Sequence, residues 1–366
     1  MRIEKGEISS SQLMYMIIAF LQGAHLLIAF ASGTTKHDTW LSVLAAFFVS
    51  LLFILIYLAL LQKFPGKNLM QINDIIYGAY TGKLISVLYI WYFFLLAALN
   101  LRTVGNFVMT YMMPETPMVA ILLMFIFICV WAVKNGIEVI ARCSFTFVVL
   151  TALLVLFVTV LLIKDIKFSN FLPIFELPPD KFIQGVHIIS SIPFCQIIVF
   201  TMIIPYVNKP KQVKRSVVWG LIMGALQLFI IVIRDTAVLG VTASIMGSPS
   251  FQATRSIDIA HILTRLDILV AIVLLVTLFI RVSIYLYATV LGISQVLKLS
   301  SYSPVIIPIS ILTVSMAILT YDSVVEQASF NSTIWPVYAL PFEILIPTVS
   351  LIIAALRGIS KRREEG

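Results

Sequence analysis

Residues 190–196 read Ser190-Ser191-Ile192-Pro193-Phe194-Cys195-Gln196, a polar, proline-bearing interruption inside an apolar run from about 183 to 206. A helix carried through Pro193 loses one backbone amide and clashes with its preceding turn. In a hydrocarbon layer such a break is tolerated only where protein or a cavity surrounds it. The first apolar run, 12–34, carries a second interruption, Gln22-Gly23-Ala24-His25, where glycine permits non-helical backbone. Taken singly, Gly23 is a close-packing position and Pro193 a kink. Their matched places in the two halves of the chain favour a binding site built from broken helices.

Composition sets the environment of these runs. Apolar residues make up 60% of the 366 and charged residues 11%, with a mean hydropathy of +1.05; a soluble domain carries roughly 25% charged residues. The formal charge of +8 does not mark a nucleic-acid binder, because the basic residues sit in short loops between apolar runs. Cys129, Cys143 and Cys195 lie within apolar runs without metal-ligand spacing and read as inert core thiols. The stretch from Met1 to Ser11 shows no cleavage signature, so the first run reads as a retained span.

A span needs about 20 apolar residues. Ten segments qualify, near 12–34, 39–62, 84–112, 117–133, 141–163, 183–206, 214–246, 267–297, 302–321 and 333–357. Sixteen Lys and Arg then fall on the side of the termini and six on the other, which predicts cytoplasmic termini. Two 21-residue connections, 63–83 and 247–267, carry amphipathic patterns (Leu69, Ile72, Ile76, Tyr80; Ile259, Ile262, Leu263, Leu266) that predict interfacial helices. They fall at equivalent places on opposite sides. The expected fold is therefore an all-α polytopic membrane protein, one domain over 1–366, built as two inverted five-helix repeats near 12–163 and 183–357 with helices 1 and 6 broken.

Polar groups inside spans are costly and mark function by default. The candidate ligand-binding residues are Gln22, Gly23, Ala24 and His25 at the first break, Ser190, Ser191, Phe194 and Cys195 at the second, Tyr92 and Asn100 on the third span, and Arg281 on the eighth. Backbone around Gly23 is placed to offer amides to a carboxylate. His25 either meets a ligand or bonds a neighbouring helix, Gln196 offers further hydrogen bonds, and the serines can bond their own backbone. Arg102, Arg234, Asp235 and Glu343 are the other ionisable residues within spans. Arg234 and Asp235 adjoin, so their side chains are expected to point apart. No HExxH, GxSxG or phosphate loop is present, His25, His37, His187 and His261 are scattered, and neither enzyme activity nor a cofactor is expected.

Several stretches resemble the permease-like B subunit of spore germinant receptors: Phe171-Leu172-Pro173, Pro205-Tyr206-Val207-Asn208-Lys209-Pro210, Thr264-Arg265-Leu266-Asp267, and Ile346-Pro347 through Arg357 before a basic tail. The resemblance covers essentially the whole chain and implies the fold of the amino acid, polyamine and organocation transporter superfamily. It further implies residence in the inner spore membrane, contact with membrane lipids, an A subunit and a lipoprotein C subunit as partners, and capture of a nutrient such as an amino acid or sugar. In sodium-coupled relatives the eighth span helps form an ion site, so Arg281 there either replaces a coupling cation or pairs with Glu343 or Asp235. The alternative functions are a secondary transporter of amino acids or similar solutes, and a structural membrane protein.

Overall fold

The computed structural model describes residue 4 and residues 6–255 and 266–358. Helices α1 (Ser10–Gln22) and α2 (His25–Thr35) flank the first break, followed by α3 (Thr39–Lys63), α4 (Leu69–Tyr77), α5 (Ala79–Tyr111), α6 (Met118–Lys134) and α7 (Ile137–Leu161). Then come α8 (Pro179–Ile189), α9 (Val213–Leu239), α10 (Pro249–Arg255), α11 (Asp267–Val296) and α12 (Ser303–Leu319). The chain closes with α13 (Val324–Ser329), α14 (Trp335–Leu340) and α15 (Ile346–Leu356). Among the described residues the one β-type pairing is an isolated parallel bridge between Ile8 and Val207.

Seven stretches are long and apolar enough to cross a membrane, and α6 and α12 are shorter apolar helices. This differs from the ten segments of the sequence reading for a physical reason. The break after Gln22 leaves α1 only 13 residues long, and α2 runs through a single 3-10 turn at Lys36–Asp38 into α3. The expected interfacial helix at 63–83 forms as α4, begun by a capping box between Asn68 and Gln71. Its Leu69, Ile72 and Ile76 are buried against protein, while Tyr80 belongs to α5 and is exposed. In the other connection Leu266 is buried, but Ile259, Ile262, Leu263, Thr264 and Arg265 lie outside the described residues.

Helix α11 is the centre of the bundle, packed against α1, α5, α6, α7 and α12. From Ile280 to Gly292 every one of its residues is buried, as expected of a helix with no solvent or lipid face. α1 lies against α9 through a small-residue stripe: a Cβ on Gly220 would stand 3.0 Å from Ile17, and one on Gly224 2.6 Å from Leu21. Lipid tails are as apolar as leucine, so close backbone approach of this kind holds membrane helices together where hydrophobic burial cannot. Outward-facing Phe48, Leu52, Phe127, Trp131, Leu153 and Leu156 are exposed and apolar, a lipid-facing surface.

Candidate functional site

The two breaks differ in construction. Gly23 and Ala24 keep near-helical dihedrals, and their amides donate to Ala19 O (3.1 Å) and Leu21 O (3.0 Å). The amides expected to be open to a carboxylate are therefore already satisfied. Gly23 is a packing glycine: a Cβ there would meet the backbone carbonyl oxygen of Thr277 on α11 at 2.8 Å. Gly23→Ala is expected to force α1 and α11 apart and to cost about 1–3 kcal/mol of stability, read by thermal unfolding in detergent. At the second break Ser190–Phe194 form a π-type turn around Pro193, and Cys195–Met202 continue as 3-10 helix. Widening and then tightening the helix leaves carbonyls without their usual amides.

One side chain serves both breaks. Arg281, at the middle of α11 and fully buried, donates from Nη1 to Phe20 O (2.9 Å) and from Nη2 to Ile192 O (2.9 Å) and Gln196 Oε1. Tyr285 OH donates to the same Gln196 oxygen at 2.7 Å. The guanidinium carbon lies 4.5 Å from the centre of the Phe20 ring and 5.7 Å from that of Tyr285, so aromatic faces take up part of its charge. No carboxylate among the described residues pairs with Arg281, which corrects the expected partnership with Glu343 or Asp235. Its Nε has no hydrogen-bond partner among the described residues, nor has Ser190 Oγ at the second break.

A second cluster gathers around His25. Its Nε2 lies 3.1 Å from Ser250 Oγ on α10 and 3.6 Å from Asp235 Oδ2 on α9. Arg234 and Asp235, expected to point apart, are paired: the guanidinium folds back so that Nε and Nη2 reach Asp235 Oδ1 at 3.0 and 2.7 Å. The flexible arginine stem makes this possible, and Ser250 closes the ring by donating to Asp235 Oδ2. Cavities of about 30 and 20 Å³ meet at His25, the first also lined by Ser32, Lys36 and Thr236. Each holds a water or two and no more.

The remaining predicted residues are held elsewhere. Tyr92 OH donates to buried Glu343 Oε1 at 2.6 Å, and its ring stacks on Phe342 and Trp335. Tyr57 OH donates to Glu343 O and, at 3.4 Å, to Cys195 O. Phe194 meets Phe47 edge to face, and Ser191 donates to Ile188 O. Asn100 Nδ2 donates to Leu96 O while its Oδ1 is without a partner among the described residues. Gln22 links Thr151 of α7 to Gln227 of α9. Of the predicted set, Arg281 thus joins both breaks, His25 faces the small cavities, and Tyr92 belongs to the Glu343 cluster. Sequence reading missed Tyr285, though it stands four residues from Arg281 on the same helix face, a spacing that brings side chains together. It also missed Ser250, for which α10 offers no signal of its own.

Two interrupted helices in contact with each other and tied together by a buried guanidinium from a central helix define a polytopic membrane protein of the transporter fold. The chain belongs to the spore germination protein family, whose model, described as "Spore germination protein", matches residues 7–325. It is 29% identical to Spore germination protein KB of Bacillus subtilis (strain 168) over 99% of this chain and 98% of that one. It is 26% identical to Spore germination protein YndE of the same organism over 80% and 82% of the two chains. Among solved structures it resembles the nucleobase-cation-symport-1 family transporter Mhp1, in a closed conformation with bromovinylhydantoin bound (TM-score 0.70, 12% identity, 95% of this chain and 78% of that one). It also resembles a substrate-bound, outward-open Na+-coupled sialic acid symporter (TM-score 0.66, 12% identity, 97% and 90%). At such identities these two likenesses define the fold.

Proposed function

We propose that this chain is the nutrient-binding subunit of a spore germination receptor, capturing a small molecule such as an amino acid between the two breaks. The observation that carries the reading is the position of Arg281, bonded at once to Phe20 O and Ile192 O. A zwitterion entering there finds complementary chemistry. Its carboxylate meets a guanidinium with an uncommitted Nε, and its ammonium meets the two carbonyls that Arg281 releases. Phe20, which meets both Phe200 and Tyr285 edge to face, supplies an apolar wall with them.

Because the cation belongs to the protein, ligand occupancy exchanges one set of bonds at both breaks for another and shifts the chain between two states. The signal passes to an A subunit and a lipoprotein C subunit through helix contacts in the inner spore membrane. Both termini lie in the cytoplasm, and the two halves are related by inversion. The test is a thermal-shift screen of the purified chain, alone and co-expressed with those two subunits, against amino acids, sugars and nucleosides. One class is expected to raise the midpoint in a saturable way, and the three subunits to co-purify. A chain that no class stabilises in either preparation contradicts the reading.

A further inference from the structure

On the side of the bundle where α1 and α9 begin, a groove of about 470 Å³ opens between the start of α1 and the segment leading into α9. Its cationic residues are Lys209 and Arg215, both exposed, and Ser9, Ser11, Asn208 and Gln212 supply neutral hydrogen-bonding groups. Lys211 in the lead-in and Lys214 in the first turn of α9 are exposed as well. Its apolar edge is Met14 and Trp219, the latter two turns into a helix that crosses the membrane. From Trp219 a stripe continues down the outer face of α9 through Met223, Leu226 and Ile230, each between 42% and 48% exposed. These residues recur at three- and four-residue spacing on one helix face.

We propose that this groove binds the phosphate headgroup of an anionic phospholipid, with the acyl chain lying along the Trp219–Ile230 stripe. The cationic pair and the hydroxyl and amide groups match a phosphodiester with its neighbouring glycerol oxygens. Trp219 stands where indole rings settle, at the boundary of headgroup and hydrocarbon. A free phosphate would use the cations but has no use for the stripe, so the continuity of the two selects a lipid. The site sits where α1, bearing the first break, meets α9, so an occupied groove fastens the base of the broken helix to its neighbour.

The full-length chain in detergent, examined by native mass spectrometry with phosphatidylglycerol, phosphatidylcholine and inorganic phosphate as probes, tests this directly. Phosphatidylglycerol is expected to be retained in preference to phosphatidylcholine, and Lys209→Gln with Arg215→Gln to weaken its retention about thirtyfold, given what each basic residue contributes near an anionic headgroup. Arg215→Gln alone is expected to give about fivefold, which carries the test should the double variant fold poorly. Lys181→Gln, an exposed lysine outside the groove, serves as the unchanged control. Equal retention of the two lipids, loss of phosphatidylglycerol to millimolar inorganic phosphate, or unaltered retention by the variants would overturn the proposal.

Discussion

Arg281→Met is expected to abolish saturable nutrient binding and to lower the stability of the purified chain by about 2–3 kcal/mol. Methionine fills much of the volume of the arginine stem but donates nothing. Phe20 O, Ile192 O and Gln196 Oε1 then lose the donor that serves all three. A buried acceptor left without a partner costs about 1–3 kcal/mol, and two of them, Phe20 O and Ile192 O, together exceed the expected net loss, while Gln196 Oε1 keeps Tyr285 OH. The difference is offset by relief from burying a guanidinium, whose desolvation is itself expensive. Arg281→Lys separates the two effects. The ammonium keeps the charge but, as a compact point donor, cannot span acceptors on two helices as the planar fork does. It is expected to retain most of the stability and to bind nutrient weakly. Thermal unfolding in detergent and equilibrium binding of labelled amino acids read the two quantities on the same samples.

Asp235→Ala is expected to be at least as damaging to the fold, by about 3–5 kcal/mol, because it strands Arg234 as an uncompensated buried charge. Arg234 and Asp235 are 3% and 5% exposed, and the pair is closed by Ser250 and approached by His25. The cost lies in breaking the pair rather than in lacking it. Arg234→Met combined with Asp235→Ala is therefore expected to recover most of the lost stability, as replacement of buried ion pairs by apolar residues often does. Chemical or thermal unfolding of the two single variants and the double variant yields the coupling between them. A double variant no more stable than Asp235→Ala alone would show that the ring around Ser250, and not the charge balance, is what the bundle requires.

Much of the fold could be read from the chain because proline, glycine and intramembrane charge are local signals. Pro193 and its serines mark where helix geometry changes, and Arg281 stands out in an apolar run; the structure brings them together at Ile192 O. Gly23 was harder to interpret. The same residue type serves an unwound backbone and a close helix crossing, and only the position of Thr277, 254 residues away in sequence, decides for the crossing. The pairing of Arg234 with Asp235 was illegible for a related reason. It depends on rotamers of a long side chain and on Ser250, contributed by a short helix in a connecting segment. The link from Tyr92 to Glu343 likewise joins distant helices, α5 and the π-type turn at Pro341–Leu345, and no spacing within either announces it.

The most direct test of the account is a paired measurement on the chain reconstituted in liposomes: equilibrium binding of a labelled amino acid identified by the stability screen, and its uptake under imposed sodium and proton gradients. The account predicts saturable binding that Arg281→Met removes, with no accumulation under either gradient. Gradient-driven accumulation would make the chain a transporter, and binding undiminished by Arg281→Met would place the ligand away from the two breaks.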